Sequence, residues 1–154
     1  SIVKNYWHLA DRGTVLDIAC GNGRNSLFLA KKGFTVDAVD ISTVATNQLA
    51  GKHPGINVFR RDLDTWDIPS GRYDLIVNVR FLDRRLFSAI RQGLKTGGVL
   101  IFESFIGPEN DPYCLVSNEL LRAFGQLRII YYEERHSDHS QRFNQIAGMV
   151  AIKQ

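Results

Sequence analysis

The sequence predicts an α/β fold in which helices cover both faces of a single, mostly parallel, doubly wound sheet. Three observations lead to this prediction. Short apolar runs alternate with helical stretches along the 154 residues, which is the pattern of strand–helix–strand units. The first run, residues 14–19, is largely apolar on consecutive positions, as in a strand that is buried on both faces. The loop between the last two runs is too short for a right-handed crossover, so those strands form an antiparallel hairpin.

The first half of the chain supplies three helices and three strands. We expect a short helix over residues 2–9. The second helix covers residues 24–32 and ends at its C-cap, Gly33. Ser42 is a favourable N-cap for a third helix that runs to Ala50. The three strands are the runs 14–19, 34–40 and 56–59.

The second half supplies four strands and two helices. The helices are expected at residues 84–94 and 118–124, and the sequence KTGG at 95–98 turns into the fifth strand. Residues 63–72 are too few for a full helix, so we expect thin cover on one face of the sheet there. The strands are expected at residues 73–78, 99–105, 127–133 and 143–152.

Composition places few limits on function. We expect one domain over residues 1–154, with further N-terminal residues in the parent polypeptide. The net charge of +3 and the isoelectric point near 9.0 permit an anionic substrate without requiring nucleic acid. Cys20 and Cys114 have no metal-binding spacing, and the sequence shows no signal peptide, so we expect a cytoplasmic protein without a metal site. No apolar run approaches the ~20 residues that span a membrane, and monomer and homodimer both stay open.

The glycine-containing stretch GNG at residues 21–23 follows the first strand and opens the second helix. Its glycines let a ligand approach the backbone, and the helix start offers free N–H groups. A dinucleotide pyrophosphate suits such a place, but Ser26 replaces the third glycine of the dinucleotide motif. Asp17 also puts a negative charge beside the loop, which is unfavourable next to phosphates. The loop therefore favours a ligand that is cationic or zwitterionic at this end.

S-adenosylmethionine (SAM) meets this requirement, because it carries a sulfonium, an ammonium, a carboxylate and a ribose diol but no phosphate. Asp17 is placed to accept from the ammonium, and Asp40, at the end of the second strand, to accept from both ribose hydroxyls. Two alternatives stay open: Asp17 as a residue that orients the loop, and Asp40 as the ribose ligand of a dinucleotide. The combination of Asp17, Gly21, Gly23 and Asp40 at these spacings favours SAM.

A family resemblance supports the same cofactor. The stretch VLDIACGNGRNSLFLAKKGFTVDAVDIS, residues 15–42, resembles motif I and the second-strand acid of the class I SAM-dependent methyltransferases. Within it, CGNGRNSLFLA is especially similar to the tellurite-resistance-type small-molecule methyltransferases. The resemblance continues through RRDLDTW, YDLIVNVRFL and LKTGGVLIFESF, over most of the chain. It implies a Rossmann-like sheet of seven strands in the order 3-2-1-4-5-7-6, with the last strand antiparallel, and SAM as cofactor, with S-adenosylhomocysteine (SAH) as product.

The resemblance also implies which residues contact the cofactor. The methionine part of SAM would be lined by Asp17, Ala19, Cys20, Gly21 and Gly23. The ribose and adenine would be held and flanked by Asp40, Ile41, Asp62 and Leu63. The position beneath the transferred methyl group would be formed by Asn78 and Val79.

The end of the fourth strand bears on the methyl acceptor. Nucleic-acid enzymes that methylate amino groups carry Asp/Asn-Pro-Pro-aromatic there, which holds a flipped base, whereas this chain has NVRF at residues 78–81. We therefore expect methyl transfer to a small molecule, possible acceptors being a thiol, a chalcogen oxyanion and an oxygen nucleophile. Two alternatives stay open: a nucleic-acid methyltransferase, and a SAM- or nucleotide-binding module without catalysis.

Four residues are candidates for catalytic contacts with the acceptor. Arg80 follows the fourth strand and suits an anionic or oxygen-rich acceptor. Glu103 ends the fifth strand and is either a base or a structural hydrogen-bonding group. Arg135 and His136 lie in the loop EERHSDHSQR, residues 133–142, which we expect to overhang the same edge of the sheet. An imidazole there can shuttle a proton or hold an anion. The order Arg-His, reversed relative to the resembling enzymes, leaves open which side chain faces the site.

Overall fold

The computed structural model describes residues 1–138 and 142–154. Within these residues, seven strands form one sheet in the order β3-β2-β1-β4-β5-β7-β6, and β7 runs antiparallel to both of its neighbours. The predicted fold class, strand order and terminal hairpin are therefore confirmed. The strands are β1 Thr14–Ile18, β2 Thr35–Asp40, β3 Ile56–Arg60, β4 Tyr73–Val79, β5 Leu94–Ile106, β6 Arg128–His136 and β7 Gln145–Ile152.

The helices lie close to their predicted positions. Ser42 caps α3 as expected, because its hydroxyl accepts from the Ala45 N–H. The C-cap of α2 is Lys32, not Gly33 as expected, and Gly33 follows it with a positive φ. No helix in the described residues is long and apolar enough to cross a membrane. The α-helices are α1 Ile2–Tyr6, α2 Arg24–Lys31, α3 Thr43–Leu49, α4 Phe87–Gly93 and α5 Glu119–Ala123, and short 3-10 helices cover Trp7–Leu9 and Arg84–Leu86.

Two strands begin or end three or more residues away from their predicted bounds. β5 starts at Leu94, before the KTGG sequence, because Leu94 already pairs with Tyr73; regular pairing then resumes between Val99 and Leu75 after an irregularity. β6 continues to His136, because it stays paired with β7 as far as Gln145. The segment expected to form the first half of the last loop is therefore strand, and its side chains alternate between the two faces of the sheet.

The core consists of two apolar layers, one on each face of the sheet. Consecutive residues of β1 divide between them: Val15 packs with α1, α2 and α3, whereas Leu16 and Ile18 pack with α4 and α5. Between β3 and β4 the described chain forms no helix, as expected, and Leu63 and Ile68 fill that part of the core. Asp17 lies between these apolar positions, on the α2 face of β1.

The sheet order reverses between β1 and β4, which both run parallel to their neighbours. Loops that leave these two strands diverge to opposite sides of the sheet and leave a crevice at the carboxyl ends of the strands. The glycine loop, the end of β2 and the end of β4 all meet at this edge. The predicted site residues are therefore brought to one side of the molecule by topology alone.

Candidate active site

The glycine loop is tied to the end of β2 by Asp40. One carboxylate oxygen accepts from the Gly21 N–H at 2.9 Å, and the other accepts from the Ser42 N–H at 2.9 Å. Each oxygen keeps a further lone pair, so the carboxylate can still accept from a ligand hydroxyl. Ile41, directly after Asp40, is 57% exposed. A half-buried acid beside an open apolar surface is the arrangement expected for a ribose and an adjoining ring.

The two glycines of the loop serve different purposes. Both have positive φ, +56° at Gly21 and +78° at Gly23, where a side chain is strained. A Cβ at Gly21 would meet nothing within 4 Å, so this glycine leaves open space. A Cβ at Gly23 would lie 2.3 Å from Cδ1 of the buried Leu49. The absence of a side chain at Gly23 makes room for α3, and its expected contact with the cofactor stays a prediction.

Ser26, at the position of the missing third glycine, forms a hydrogen bond with Asp17. Its hydroxyl donates to the Asp17 carboxylate at 2.6 Å, and both side chains are buried. Burial raises the pKa of Asp17 to about 7, although the Ser26 hydrogen bond offsets part of the rise. The sequence analysis treated Ser26 only as a departure from the dinucleotide motif. The available signal was that a serine on the first turn of α2 faces the strand that carries Asp17.

A crevice of about 320 Å³ lies against the glycine loop; we call it the glycine-loop cleft. Five of the expected cofactor residues line it, together with one of the expected acceptor residues and three polar residues that the sequence analysis missed. The expected ones are Asp17, Ala19, Cys20, Gly21, Val79 and Arg80, and the additional ones are Asn22, Arg24 and Asn25.

A larger cavity of about 430 Å³ adjoins this cleft; we call it the arginine cavity. The two spaces share four lining residues, Arg24, Asn25, Val79 and Arg80. The arginine cavity is further lined by Glu103 and Arg135, and by Ser1, Ile2 and Lys4 from the start of the chain. Residues from α1, α2, β4, β5 and β6 therefore converge beside the glycine-loop cleft.

The remaining expected cofactor residues lie outside the described lining of the cleft. Asp62 and Leu63 follow β3 at the same edge of the sheet; Asp62 is exposed and accepts from the Asp64 N–H at 2.9 Å, whereas Leu63 is buried. Asn78 is buried, and its amide donates to the carbonyl oxygen of Phe81 at 2.6 Å. The Asn78 amide thus braces the turn after β4, a role that the sequence analysis did not anticipate.

Arg80 occupies the wall that the two spaces share. Its backbone has a positive φ of 58°, and its N–H donates to the Glu103 carbonyl oxygen at 2.7 Å. Its guanidinium lies 6.0 Å from the centre of the Phe105 ring. The neighbouring arginines differ: Arg84 pairs with Glu119 at 2.7 Å, and Arg85 lies on the exposed surface beside acids. Of these three arginines, Arg80 is the one that lines the glycine-loop cleft and the arginine cavity.

Arg135 lies next to Glu103, whereas His136 lies apart from both. The Glu103 carboxylate is 9% exposed and lies 3.3 Å from the Arg135 guanidinium. His136 is 67% exposed and pairs with Asp138 at 3.0 Å. Because successive residues of β6 point to opposite faces, only one of the pair can face the cavity. The structure places Arg135 there, which answers the question that the sequence left open. His139, the other histidine of this loop, lies outside the described residues.

Neither cysteine is a nucleophile in this environment. Burial, with the nearby Asp17 and Asp40 charges, raises the pKa of the Cys20 thiol to about 12. Burial also raises the pKa of Cys114, whose sulfur lies 3.6 Å from each of two backbone carbonyl oxygens. Both thiols stay protonated at neutral pH. Within residues 1–138 and 142–154, no three or more His, Cys, Asp or Glu side chains form a group that could hold a metal ion.

Comparison with known proteins places this site in a family context. Residues 15–98, more than half of the chain, match the family described as "Methyltransferase domain". The ribosomal RNA small subunit methyltransferase C of Alcanivorax borkumensis is 35% identical over 107 residues, which are 60% of this chain and 32% of that protein. The chain thus spans about a third of the length of this curated relative.

Solved structures share the fold. TehB from Haemophilus influenzae superposes with a TM-score of 0.83 at 22% identity, covering 99% of this chain and 61% of that one. A 1,6-didemethyltoxoflavin-N1-methyltransferase from Burkholderia thailandensis, solved with 1,6-didemethyltoxoflavin and SAH bound, superposes with a TM-score of 0.76 at 16% identity. The superposition covers 99% of this chain and 76% of that one.

Proposed function

The chain belongs to the methyltransferase-domain family, and from this premise we propose that it transfers the methyl group of SAM to a small-molecule acceptor. The observation that carries the proposal is the shared wall between the glycine-loop cleft and the arginine cavity. A donor in the cleft and an acceptor in the cavity would lie on either side of the same four residues. The cavity volume of about 430 Å³ is in the range of small-molecule sites.

The residues of the cleft and of the adjoining end of β2 fit SAM. Asp17 supplies a buried carboxylate for the ammonium, Gly21 leaves open space, and Asp40 presents oxygens for the ribose diol. When bound, SAM supplies an electrophilic methyl group: its S–CH3 bond breaks as the acceptor–CH3 bond forms, the electron pair stays on sulfur, and SAH remains. Much of the rate acceleration in such a displacement comes from alignment of the two reactants. The SAH found in the toxoflavin-type neighbour supports this choice of cofactor.

The arginine cavity supplies positive charge and a carboxylate that can take a proton. Arg80, in the shared wall, would hold an oxygen-rich or anionic group of the acceptor next to the cleft. Glu103 is buried and faces the arginine cavity, so it is placed to take the proton that the acceptor loses. Thiols, chalcogen oxyanions and oxygen nucleophiles are the acceptor classes to test, and the TehB likeness supports including the second class.

Calorimetry against SAM, SAH and NAD tests the cofactor. We expect SAM and SAH to bind roughly ten-fold or more tightly than NAD, because a pyrophosphate would lie beside Asp17. A screen for SAH formation over thiols, chalcogen oxyanions and phenols then tests catalysis. Tight SAH binding without turnover on any acceptor would favour a non-catalytic binding module, and a preference for NAD would overturn the cofactor assignment.

A nucleic-acid acceptor is the second candidate, because one relative is named a ribosomal RNA methyltransferase. The chain has a net charge of only +3, and NVRF at residues 78–81 lacks the base-holding prolines. We therefore expect no tight binding to oligonucleotides at physiological salt. Submicromolar binding with a steep salt dependence would reverse the order of the two candidates.

Replacing Asp40 tests the ribose contact. Asp40→Ala should weaken SAM and SAH binding by roughly 1.5–3 kcal/mol, since a charge-assisted hydrogen bond is lost. The variant also loses the bonds to the Gly21 and Ser42 N–H groups, so the free energy of unfolding must be measured alongside. An unchanged dissociation constant for SAH in a folded variant would remove Asp40 from the cofactor site.

Replacing Arg135 and His136 separately tests the acceptor side. Arg135→Ala should lower kcat/KM by roughly ten-fold or more, because it removes a charge from the arginine cavity and leaves Glu103 without its partner. SAM affinity should not change, since Arg135 does not line the glycine-loop cleft. His136→Ala should have much the smaller effect, because His136 lies on the other face of β6. A larger loss for His136→Ala would return the imidazole to the catalytic role expected from the sequence.

A further inference from the structure

We infer that the acceptor is a small zwitterion, with its anionic group in the arginine cavity and its ammonium group in a second, acidic cavity beside it. This inference rests on the proposed function and deepens it by naming the charge class of the acceptor. The second cavity, of about 280 Å³, is lined in part by Tyr6 and Tyr131, and we call it the tyrosine cavity. The two cavities share Glu103 and Arg135.

The arginine cavity is positive. Among its described lining residues, four side chains carry a positive charge and one a negative charge, and the positive ones come from α1, α2, β6 and the turn after β4. They are Lys4, Arg24, Arg80 and Arg135, against the single carboxylate of Glu103. Arg135 is already paired with Glu103, so three cations are left to attract an anion. Carboxylates and other oxyanions are the groups that such a set of arginines and a lysine recognises.

The tyrosine cavity has the opposite balance. Its described lining includes the carboxylates of Glu103 and Glu133 and one cation, Arg135. The Tyr131 hydroxyl donates to Glu133, and the Tyr131 ring lies with its centre 4.9 Å from that of Tyr6. Carboxylates beside aromatic faces are the surroundings in which ammonium groups bind, through charge-assisted hydrogen bonds and cation–π contacts.

The Glu103–Arg135 pair lies where the two cavities meet. Arg135 reaches Glu103 at 3.3 Å on one side and Glu133 at 3.9 Å on the other. A Cβ at Gly148 would lie 3.1 Å from Cδ1 of Ile2, so this glycine makes room for Ile2 next to the passage between the two cavities. A ligand that spans the passage meets positive charge at one end and negative charge at the other. A zwitterion satisfies both ends, whereas a simple anion or a simple amine satisfies only one.

Three thiols of similar size test the inference. Cysteine carries both charges, 3-mercaptopropionate carries only the carboxylate, and cysteamine carries only the ammonium. Calorimetry on the full chain, with and without saturating SAH, should show that cysteine binds about ten-fold more tightly than either of the others. Equal binding of cysteine and 3-mercaptopropionate, a preference for cysteamine, or no binding of any probe would overturn the inference.

Two variants assign each charge to its cavity. Glu133→Gln should weaken binding of the two ammonium-bearing probes about ten-fold and leave binding of 3-mercaptopropionate unchanged. Arg24→Gln should weaken binding of the two carboxylate-bearing probes to a similar degree and leave binding of cysteamine unchanged. Asp11→Asn is the matched control, because Asp11 is exposed before the start of β1, at the opposite edge of the sheet. Any other pattern, including uniform weakening by both variants, would overturn the inference.

The outcome is separable from that of the proposed function. SAH affinity and SAM-dependent turnover report on methyl transfer, whereas probe binding without SAH reports on the two cavities alone. A protein that binds SAH and methylates an uncharged phenol or thiol in preference to the zwitterion would keep the proposed function and lose this inference. Selective cysteine binding without SAH binding would keep this inference and overturn the proposed function.

Discussion

Asp17→Asn is expected to weaken SAM binding by about 3 kcal/mol, because the ammonium of the ligand would lose the buried carboxylate that pairs with it. Calorimetry with SAM at about pH 8 measures the loss. Wild-type affinity should rise as the pH increases through about 7, where Asp17 ionises, and the variant's affinity should lack this pH dependence. A variant that binds SAM as tightly as the wild type would show that Asp17 only orients the loop.

The same variant should be more stable than the wild type at high pH. Burial raises the pKa of Asp17 from 3.8 to about 7, so between these values the folded state holds a proton that the unfolded state has lost. The free energy of unfolding of the wild type therefore falls as pH rises through this window. The asparagine side chain of the variant cannot ionise, and it keeps an acceptor for the Ser26 hydroxyl.

Denaturant titrations from about pH 4 to 8 measure this difference. Wild type and variant should be closest in stability at the acid end, and the variant should gain progressively toward the alkaline end. Ser26→Ala is the informative companion, because it removes the hydrogen bond but keeps the carboxylate. It should be less stable than the wild type above about pH 7. Parallel pH profiles for wild type and Asp17→Asn would contradict the raised pKa.

Gly23→Ala is expected to destabilise the fold by about 3 kcal/mol, because it combines a strained backbone with a clash. The new Cβ would lie 2.3 Å from Cδ1 of Leu49, which is 1% exposed. Gly21→Ala is the matched control: its φ is also positive, but its Cβ meets nothing within 4 Å. It should cost only about 1 kcal/mol of stability. Urea unfolding of both variants measures the difference.

The double variant Gly23→Ala/Leu49→Ala separates the clash from the backbone strain. Leu49→Ala alone creates a cavity and costs about 2–5 kcal/mol, but in the double variant the new methyl group enters that space. The double variant should therefore lose less stability than the two single variants lose in sum, by about 1 kcal/mol or more. Strict additivity would mean that Leu49 is not what requires a glycine at position 23.

The strands and the edge of the sheet where the expected site residues meet were predictable from the sequence, because their signals are local. Apolar runs mark the strands, and the glycines after β1 with an acid at the end of β2 mark that edge. The family resemblance then supplied the order in which the strands pair. The start of β5 was not predictable in this way, because it depends on a pairing between Leu94 and Tyr73, which lie 21 residues apart in the sequence.

The details of the site were less predictable, since they depend on which side chains meet in space. Ser26 looked like a mere departure from a motif until it was found against Asp17. The packing of Leu49 against Gly23 was equally hidden, because nothing local in the sequence links the two positions. The choice between Arg135 and His136 depended on how far β6 continues, because neighbouring side chains are held on opposite faces of the sheet only where the chain is strand.

The division of the two spaces also has an evolutionary consequence. Residues that line the glycine-loop cleft fall between 17 and 80, inside the family match at 15–98. The residues that the arginine cavity adds, among them Lys4, Glu103 and Arg135, fall outside that match, on segments before and after it. Under the proposed function, mutations in these flanking segments would alter acceptor preference while the proposed donor-binding half is preserved. Substrate divergence among related enzymes would then proceed through the flanks, with the shared wall as the fixed boundary.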